Sequence, residues 1–422
     1  MESQRVAKLE GGSAAQLKIP HFGQLKLEDA QPVADWRAVL AKLSVTLHGL
    51  REGKALFFQV PEAVDVYSST TASFFYNAQL MNVEVVYFVP IAMMYEYADE
   101  LAKRPVCGCI VVSSTGRCGS TLLSQILETQ SGVTSISEPL AWMHCASLLA
   151  RPDAQIKDLG AWRREKVEAV MRACVLVQLK DFTASQFVCV KLHSQGASAV
   201  PQLASLFPKH RHVYLYRDPK PNVSSFVRVS KALLPGWVQA VQRLQCGRKL
   251  VFRYLMPLVF RGMDRLLFFT SGMMDDDVAW ARDFGAWSRE DGALLVLTWA
   301  SNVRTALQFC RERHGSGAGA TAGLKTLNYA ALVGGHRSEA CERLLQLCGL
   351  PASDAAVAAA VAAMSADSQE NSDVSKSNTG DATVTYTPQQ LALFDTFLAD
   401  MGVPCTFSGE LSLPNDLMGG MR

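Results

Sequence analysis

Short apolar runs alternate with helical patterns in the middle of the chain. Cys109–Ser113 is an apolar run of strand length, Ser114–Gly119 is a polar turn that contains glycine, and Thr121–Gln130 has helical periodicity. The same order of strand, loop and helix begins again at Phe187–Val190 and at His212–Tyr216. Apolar strands alternating with helices are typical of a buried parallel sheet with right-handed crossovers. The pattern therefore predicts an α/β fold with a central parallel sheet flanked by helices.

Two other segments precede and interrupt this predicted core, which we place at residues 105–352. Residues 1–104 mix short strand-like runs with a helical run, and they are predicted to form an N-terminal subdomain of unknown role. Residues 233–287 are rich in arginine, aromatic residues and methionine. This composition favours a helical insertion or cap on the core.

A C-terminal extension is predicted at residues 353–422. Its polar segment at 365–381 is dense in Ser, Asp and Asn, which is typical of a mobile loop. A final helix is predicted at Pro388–Met401, because Thr387 suits the cap position and proline suits the first turn.

The composition of the chain limits the classes of binding partner and the cellular compartment that we expect. The 41 Lys and Arg residues nearly balance the 39 Asp and Glu residues, which indicates neither a nucleic-acid partner nor an anionic membrane surface. The eleven cysteines form no disulfide framework and no paired CxxC sets. The longest apolar stretches, near Val85–Met94 and Leu255–Phe260, are too short to span a bilayer, and the first residues lack the apolar segment of a secretory signal. We expect a soluble cytoplasmic protein with reduced thiols.

The turn Ser114–Thr121 has the composition of an anion-binding loop. It follows a strand and opens a helix, so its backbone N–H groups and the helix N-terminus converge on one point. Arg117 adds a guanidinium, and Ser120 and Thr121 add hydroxyl donors. The alternative is a glycine-rich turn that binds nothing. A kinase that uses Mg·ATP is disfavoured, because the motif GxxxxGK[ST] requires a lysine where this chain has Ser120 after Gly119.

A second candidate phosphate site follows the predicted strand His212–Tyr216. Arg217 opens the sequence Arg-Asp-Pro, and Ser225 lies one to two turns into the next predicted helix. A forked guanidinium together with a hydroxyl suits a phosphate group. Arg228 is a further candidate on the same helix. Taken alone, Arg217 would as readily form an ion pair with Asp218 or a distant carboxylate.

The two motifs together resemble those of sulfotransferases that use 3′-phosphoadenosine 5′-phosphosulfate (PAPS). In that family the 5′-phosphosulfate loop reads as a basic residue followed by Ser-Gly-Thr-Thr, and Arg-Asp-Pro precedes a serine that holds the 3′-phosphate. The resemblance covers roughly Cys107 to Pro351, and it departs from the family at Cys118, where serine is usual. It implies a P-loop-type fold. It also implies a donor site formed by Thr115, Gly116, Arg117, Cys118, Gly119, Ser120, Thr121, Arg217 and Ser225.

Sulfuryl transfer needs a base for the acceptor and positive charge on the oxygens of the transferred group. Glu138 has a spacing similar to that of the catalytic glutamate in tyrosyl-protein and carbohydrate sulfotransferases, and a partly desolvated cleft would raise the pKa of its carboxyl. His193 resembles the histidine base of small-molecule sulfotransferases, and both residues stand as candidates. Lys191 and Arg117 are the candidate cations. Glu138 as a loop carboxylate, His193 as a solvated histidine and Lys191 as a surface lysine are the alternatives.

The predicted function is sulfuryl transfer from PAPS to a hydroxyl or amine of a small-molecule acceptor, without a metal. The consecutive carboxylates Asp275–Asp277 are interpreted as a solvated turn or a helix N-terminus, since neighbours in sequence rarely converge on one ion. A sulfotransferase-like protein that binds a nucleotide or a partner without catalysis is the alternative, because Ala330 and Ala331 replace an acidic pair of the family. Acceptor specificity is expected to lie in residues 1–104 and 233–287.

Overall fold

The computed structural model describes residues 1–6, 25–69, 71–150, 164–233, 292–314, 324–365 and 383–419. The predicted insertion at 233–287, apart from its first residue, lies outside these ranges, and so does the predicted loop at 365–381, apart from Ser365. The described residues form two five-stranded sheets.

The first sheet is antiparallel and is built from the N-terminal part of the chain. Its strands are β1 (Glu2–Arg5), β2 (Gln31–Pro32), β3 (Val45–Arg51), β4 (Lys54–Gln59) and β5 (Val85–Pro90). Their order is β2-β1-β5-β4-β3. Three helices accompany them, α1 (Trp36–Leu40), α2 (Phe75–Asn82) and α3 (Ile91–Leu101). The strand-like runs of this region thus pair with one another rather than with the predicted core.

The second sheet is parallel throughout. Its strands are β6 (Gly108–Ser114), β7 (Val133–Ser137), β8 (Phe187–Lys191), β9 (Arg211–Tyr216) and β10 (Lys325–Asn328). Their order is β10-β9-β6-β8-β7, and every neighbouring pair is parallel. The prediction of a central parallel sheet is confirmed, and β6 is its middle strand.

Helices cover both faces of this sheet and connect its strands. The first set is α4 (Ser120–Glu128), α5 (Leu140–Ala150), α6 (Arg164–Gln178), α7 (Val200–Leu206) and α8 (Pro219–Leu233), with a 3₁₀ helix at Ser194–Ala199. The later helices are α9 (Ala293–His314), α10 (Tyr329–Val333), α11 (Arg337–Leu347), α12 (Asp354–Ala363) and α13 (Pro388–Asp400). Thr387 caps α13 in a capping box with Gln390, as its composition predicts.

Burial of both faces explains why the core strands read as continuous apolar runs. On β6, Ile110 and Val112 are fully buried in one hydrophobic cluster, whereas Val111 is fully buried in the other. Successive side chains of a strand point to opposite faces, so each face of β6 packs under its own layer of helices. This packing directs the carboxyl ends of β6, β7, β8 and β9 to one edge of the sheet, where the candidate residues follow.

Two histidines, the buried His48 and the partly buried His144, join the antiparallel sheet to α5. His48 on β3 is hydrogen-bonded through Nδ1 to Gln79 Oε1 at 2.9 Å. His144 on α5 accepts the Leu50 N–H through Nδ1, also at 2.9 Å. Burial lowers the pKa of His48 to about 4, and burial together with the charge of His48 lowers that of His144 to about 3.

Acidification is therefore expected to destabilise the protein. Below the unfolded pKa of about 6.5 the unfolded chain binds protons that the buried imidazoles cannot, so stability is lost as the pH falls towards the folded values. At about pH 5 each histidine should cost about 2 kcal/mol relative to neutral pH. Urea unfolding at both pH values measures this loss. A His144→Gln variant should show a smaller loss, and an identical pH dependence in that variant would contradict the assignment.

Candidate active site

The loop between β6 and α4 has the backbone conformation of an anion-binding turn. Gly116, Arg117 and Gly119 have φ values of +71°, +47° and +82°. Gly119 occupies the N-cap position of α4, and no side chain caps the helix there. The first N–H groups of α4 thus lie at the loop, next to the predicted Ser120 and Thr121, which is the arrangement that favours an anion.

Both loop glycines are required by close approach as well as by backbone conformation. A Cβ atom on Gly119 would lie 2.5 Å from Cε2 of Tyr329, the first residue of α10. A Cβ atom on Gly116 would lie 2.7 Å from Cζ of Phe226 on α8. Any side chain at either position would displace the aromatic ring that closes the loop.

The second predicted phosphate motif lies against this loop. Arg117 Nε donates to Ser225 Oγ at 3.2 Å, and Arg217 Nη1 approaches the backbone oxygen of Arg117 at 3.5 Å. The Arg217 guanidinium also stacks over the Tyr329 ring, 4.8 Å from its centroid. Two motifs about a hundred residues apart in sequence thus form one basic surface at the ends of β6 and β9.

Arg217 is directed to this surface by its neighbours. Trp299 Nε1 on α9 donates to the Arg217 backbone oxygen at 3.1 Å. Asp218 Oδ1 accepts hydrogen bonds from the Leu411 N–H at 2.9 Å and from Asn328 Nδ2 at 3.4 Å. Among the described residues, the alternative ion pair between Arg217 and Asp218 is therefore not formed. Burial lowers the pKa of Arg217, which still leaves a guanidinium charged at neutral pH.

Asn222 connects the two motifs, and the sequence did not identify it. The residue is fully buried in the first turn of α8. Its Nδ2 donates to the Gly116 backbone oxygen at 2.6 Å and to Thr115 Oγ1 at 3.2 Å. The one available signal was an amide side chain shortly after Arg-Asp-Pro. Asn222 fixes the loop relative to the helix that carries Ser225.

A buried ion pair lies beside the loop at the ends of β7 and β8. Lys191 Nζ is 2.6 Å from Glu138 Oε1, and the two side chains are 3% and 11% exposed. The same ammonium donates to Ser137 Oγ at 3.3 Å and to Thr121 Oγ1 at 3.4 Å. Lys191 is therefore no surface lysine, and it links Glu138 to the first turn of α4.

Glu138 is held in an unusual backbone conformation. Its φ is +60°, which non-glycine residues rarely adopt, and its N–H donates to the Lys191 backbone oxygen at 2.7 Å. Such conformations cost on the order of 1–3 kcal/mol and concentrate at functional sites. The strain and the hydrogen bond together aim the carboxylate at the Lys191 ammonium.

The expected rise in the pKa of Glu138 is wrong in direction. Burial does raise the pKa of this carboxyl, but the charges of Lys191 and His193 and the Lys191 hydrogen bond outweigh it, and the pKa is lowered. The pKa of His193 is also lowered, because burial lowers it more than the charge of Glu138 raises it. At neutral pH the site therefore contains an ionised glutamate and a neutral histidine, so both candidate bases are in the unprotonated form.

Cys118 is buried in the core below the loop. Its side chain is fully inaccessible, and Sγ donates to the Leu215 backbone oxygen at 3.3 Å. Burial raises the pKa of the thiol, although a helix N-terminus ordinarily lowers it. The buried thiol faces away from the loop surface, and Cys118 contributes its backbone to the loop.

The N-terminal part of the chain also reaches this site. The Phe74 ring lies under the Lys191 ammonium, with Nζ 4.8 Å from the ring centroid. A cation and the face of an aromatic ring attract each other. Because Phe74 precedes α2, more than a hundred residues before Lys191, nothing in the local sequence pattern indicated the contact.

The arrangement defines a class of protein, the α/β proteins with a glycine-rich strand–loop–helix on the middle strand of a parallel sheet. Residues 109–258 match the model of the sulfotransferase family. The match covers 150 of the 422 residues, and over that stretch the chain is similar to the sulfotransferase family.

Two solved structures are similar to this chain. Sulfotransferase STF9 from Mycobacterium avium is 14% identical with a TM-score of 0.40, and the match covers 76% of this chain and 82% of that one. A sulfotransferase from Alicyclobacillus acidocaldarius is 10% identical with a TM-score of 0.36, covering 70% and 92%. No curated protein matches the chain in sequence. Within the described residues, no helix is long and apolar enough to cross a membrane.

Proposed function

We propose that the protein transfers a sulfuryl group from PAPS to a hydroxyl or amine of a small-molecule acceptor. The observation that carries this proposal is the contact between the two phosphate motifs, in which Arg117 of the loop donates to Ser225 of α8. A donor with phosphate at both its 5′ and 3′ positions needs two such motifs at a fixed separation. A nucleotide without a 3′-phosphate would leave Arg217 and Ser225 unused.

The donor's 5′ group would lie on the loop Thr115–Thr121. Its contacts would be the N–H groups at the start of α4, the Arg117 guanidinium and the hydroxyls of Ser120 and Thr121, because backbone and hydroxyl donors converge there. Arg217 and Ser225 would hold the 3′-phosphate. Cys118 would contribute its backbone N–H to the donor's 5′ group and not its thiol, because its side chain is buried in the core.

The transfer itself would take place beside Lys191. The acceptor oxygen or nitrogen attacks sulfur, the bond from sulfur to the bridging phosphate oxygen breaks, and adenosine 3′,5′-bisphosphate leaves. Lys191 stabilises the negative charge that develops on the sulfuryl and bridging oxygens. Glu138 takes the acceptor proton in this scheme, with His193 as the competing base.

The donor assignment predicts selective stabilisation by a product. A ligand that binds only the folded protein raises its melting temperature, and at a hundredfold excess over Kd the gain is about 2.7 kcal/mol. For a chain of this size that amounts to roughly 3 °C. We expect this shift with adenosine 3′,5′-bisphosphate and not with ADP. Larger stabilisation by ADP with Mg²⁺ would contradict the proposal.

Matched glycine variants test whether the loop is the site. Gly119→Ala should abolish the shift, because its Cβ would meet Tyr329. Gly132→Ala is the control, since Gly132 has a similar φ of +80° but has no atom within 4 Å of a built Cβ. It should cost similar backbone strain and keep the shift. Transfer of radiolabelled sulfate from PAPS then separates an enzyme from a protein that only binds the nucleotide.

A further inference from the structure

The Lys191 ammonium contacts an aromatic ring in addition to its three oxygen partners. A lysine ammonium carries three N–H donors. Glu138, Ser137 and Thr121 accept one hydrogen bond each, at 2.6, 3.3 and 3.4 Å. The centroid of the Phe74 ring lies 4.8 Å from Nζ. A ring face attracts a cation through its quadrupole, so this attraction does not compete with the oxygen acceptors.

The proposed transfer would change the oxygen partners of this ammonium. Sulfuryl oxygens would take the places of the two more distant hydroxyls, those of Ser137 and Thr121. Glu138 would lose its negative charge if it took the acceptor proton, and its attraction for the ammonium would then weaken. The attraction of the Phe74 ring would not change, because the reaction leaves the ring as it is. The Lys191 side chain is 3% exposed, and a desolvated cation is attracted most strongly by a ring face.

The N-terminal region of the chain fixes the position of the Phe74 ring. Phe74 is the N-cap residue of α2 and has an extended backbone, with φ −132° and ψ 134°. The next residue, Phe75, is buried in the core. Helix α2 is bound to β3, because Gln79 Nε2 donates to Thr46 Oγ1 at 2.8 Å and to the Leu47 backbone oxygen at 3.1 Å. The antiparallel sheet thus determines where the ring lies.

We propose that Phe74 is a positioning residue for sulfuryl transfer, and that the N-terminal region completes the active site by supplying it. The ring holds the Lys191 ammonium where the sulfuryl oxygens arrive, while the ammonium exchanges its hydrogen-bond acceptors. The inference rests on the proposed function, because it gives Phe74 a part in that reaction. Since Phe74 acts through Lys191 in the transition state, weakening its attraction should lower kcat and leave KM for PAPS nearly unchanged.

Fluorinated phenylalanines test this attraction with little change in packing. Each added fluorine withdraws electron density from the ring face and leaves the ring nearly the same size, so an analogue series at position 74 weakens the attraction in steps. Release of radiolabelled sulfate from PAPS, with water as the acceptor, measures the rate without a chosen acceptor compound. We expect kcat to fall along the series to about a tenth in the trifluoro analogue. Phe74→Leu should lose about as much, and Phe74→Tyr, which keeps a ring face, should retain most of the turnover.

Phe88 and Lys54 provide a matched control pair on the antiparallel sheet. Lys54 Nζ lies 5.8 Å from the centroid of the Phe88 ring, and the Lys54 side chain is 45% exposed. The same analogue series at position 88 should leave kcat unchanged, because Lys54 has no part in the proposed transfer. In a Lys191→Met background the series at position 74 should also have no effect, since no cation then lies over the ring.

The outcomes separate this inference from the proposed function. A constant kcat along the series at position 74 overturns the role of Phe74, even where Phe74→Leu loses activity through poor folding. An equal fall at position 88, or a fall that persists in Lys191→Met, overturns it as well. A wild-type protein that releases no sulfate from PAPS above the uncatalysed rate also overturns it. The melting shift with adenosine 3′,5′-bisphosphate tests the donor site separately, and its absence contradicts the proposed function itself.

Discussion

Lys191→Met is expected to lower kcat about 10²–10³-fold, which is the usual cost of losing a group that stabilises transition-state charge. Glu138 fixes the ammonium at 2.6 Å, and the contacts to Ser137 and Thr121 at 3.3 and 3.4 Å are longer. Sulfuryl oxygens would replace those two hydroxyls as acceptors. Methionine keeps the length of the side chain and removes the charge. Transfer of radiolabelled sulfate from PAPS under saturating donor measures the change.

Loss of folding must be separated from loss of chemistry in this variant. Removing one partner of a buried ion pair leaves an unpaired charge and costs about 3–5 kcal/mol. Lys180 offers a matched control, because it is also buried and lies 2.5 Å from the Asp181 carboxylate. Lys180→Met should lose comparable stability in urea unfolding and keep kcat within a few fold. Similar turnover in folded Lys191→Met and wild type would contradict the role of Lys191.

The parts of the site that could be predicted from sequence are those that a single turn creates. The loop after β6 carries glycines, an arginine and hydroxyl groups within a few residues, and the turn after β9 carries an arginine and serines, so composition alone indicates an anion site. The parallel sheet could be predicted for the same reason, since each βα unit is local. Contact between the two turns follows from strand order, because β9 lies beside β6.

The residues that were not predicted reach the site from a distance. Asn222 acts through its hydrogen bond to Gly116, and a buried asparagine on a helix has no sequence signature. Phe74 comes from the N-terminal region, whose antiparallel sheet packs β3 against α5. The direction of the pKa shift of Glu138 also depends on a contact between separate segments, because Lys191, whose charge lowers that pKa, belongs to β8. A local sequence pattern does not determine which distant segments of the chain contact each other.

Glu138→Gln is expected to lower kcat/KM about 10²–10⁴-fold if Glu138 is the base, the usual contribution of general base catalysis. The pH dependence distinguishes this role from the simple anchoring of Lys191. Because the pKa of Glu138 is lowered from 4.5, the wild-type kcat/KM should be nearly constant from about pH 8 down to about pH 5. His193→Asn should keep that flat profile and most of the activity.

The competing base would give a different profile. The pKa of His193 is lowered from 6.5, so catalysis by its neutral imidazole would fall off along an acid limb that begins below that value. An acid limb between about pH 5 and about pH 6.5 that disappears in His193→Asn would assign the base to His193. If instead Glu138→Gln and His193→Asn both turn over PAPS at the wild-type rate, neither residue is the base. A loss in Glu138→Gln that Glu138→Asp restores, with an unchanged pH profile, would instead assign Glu138 to positioning the Lys191 ammonium.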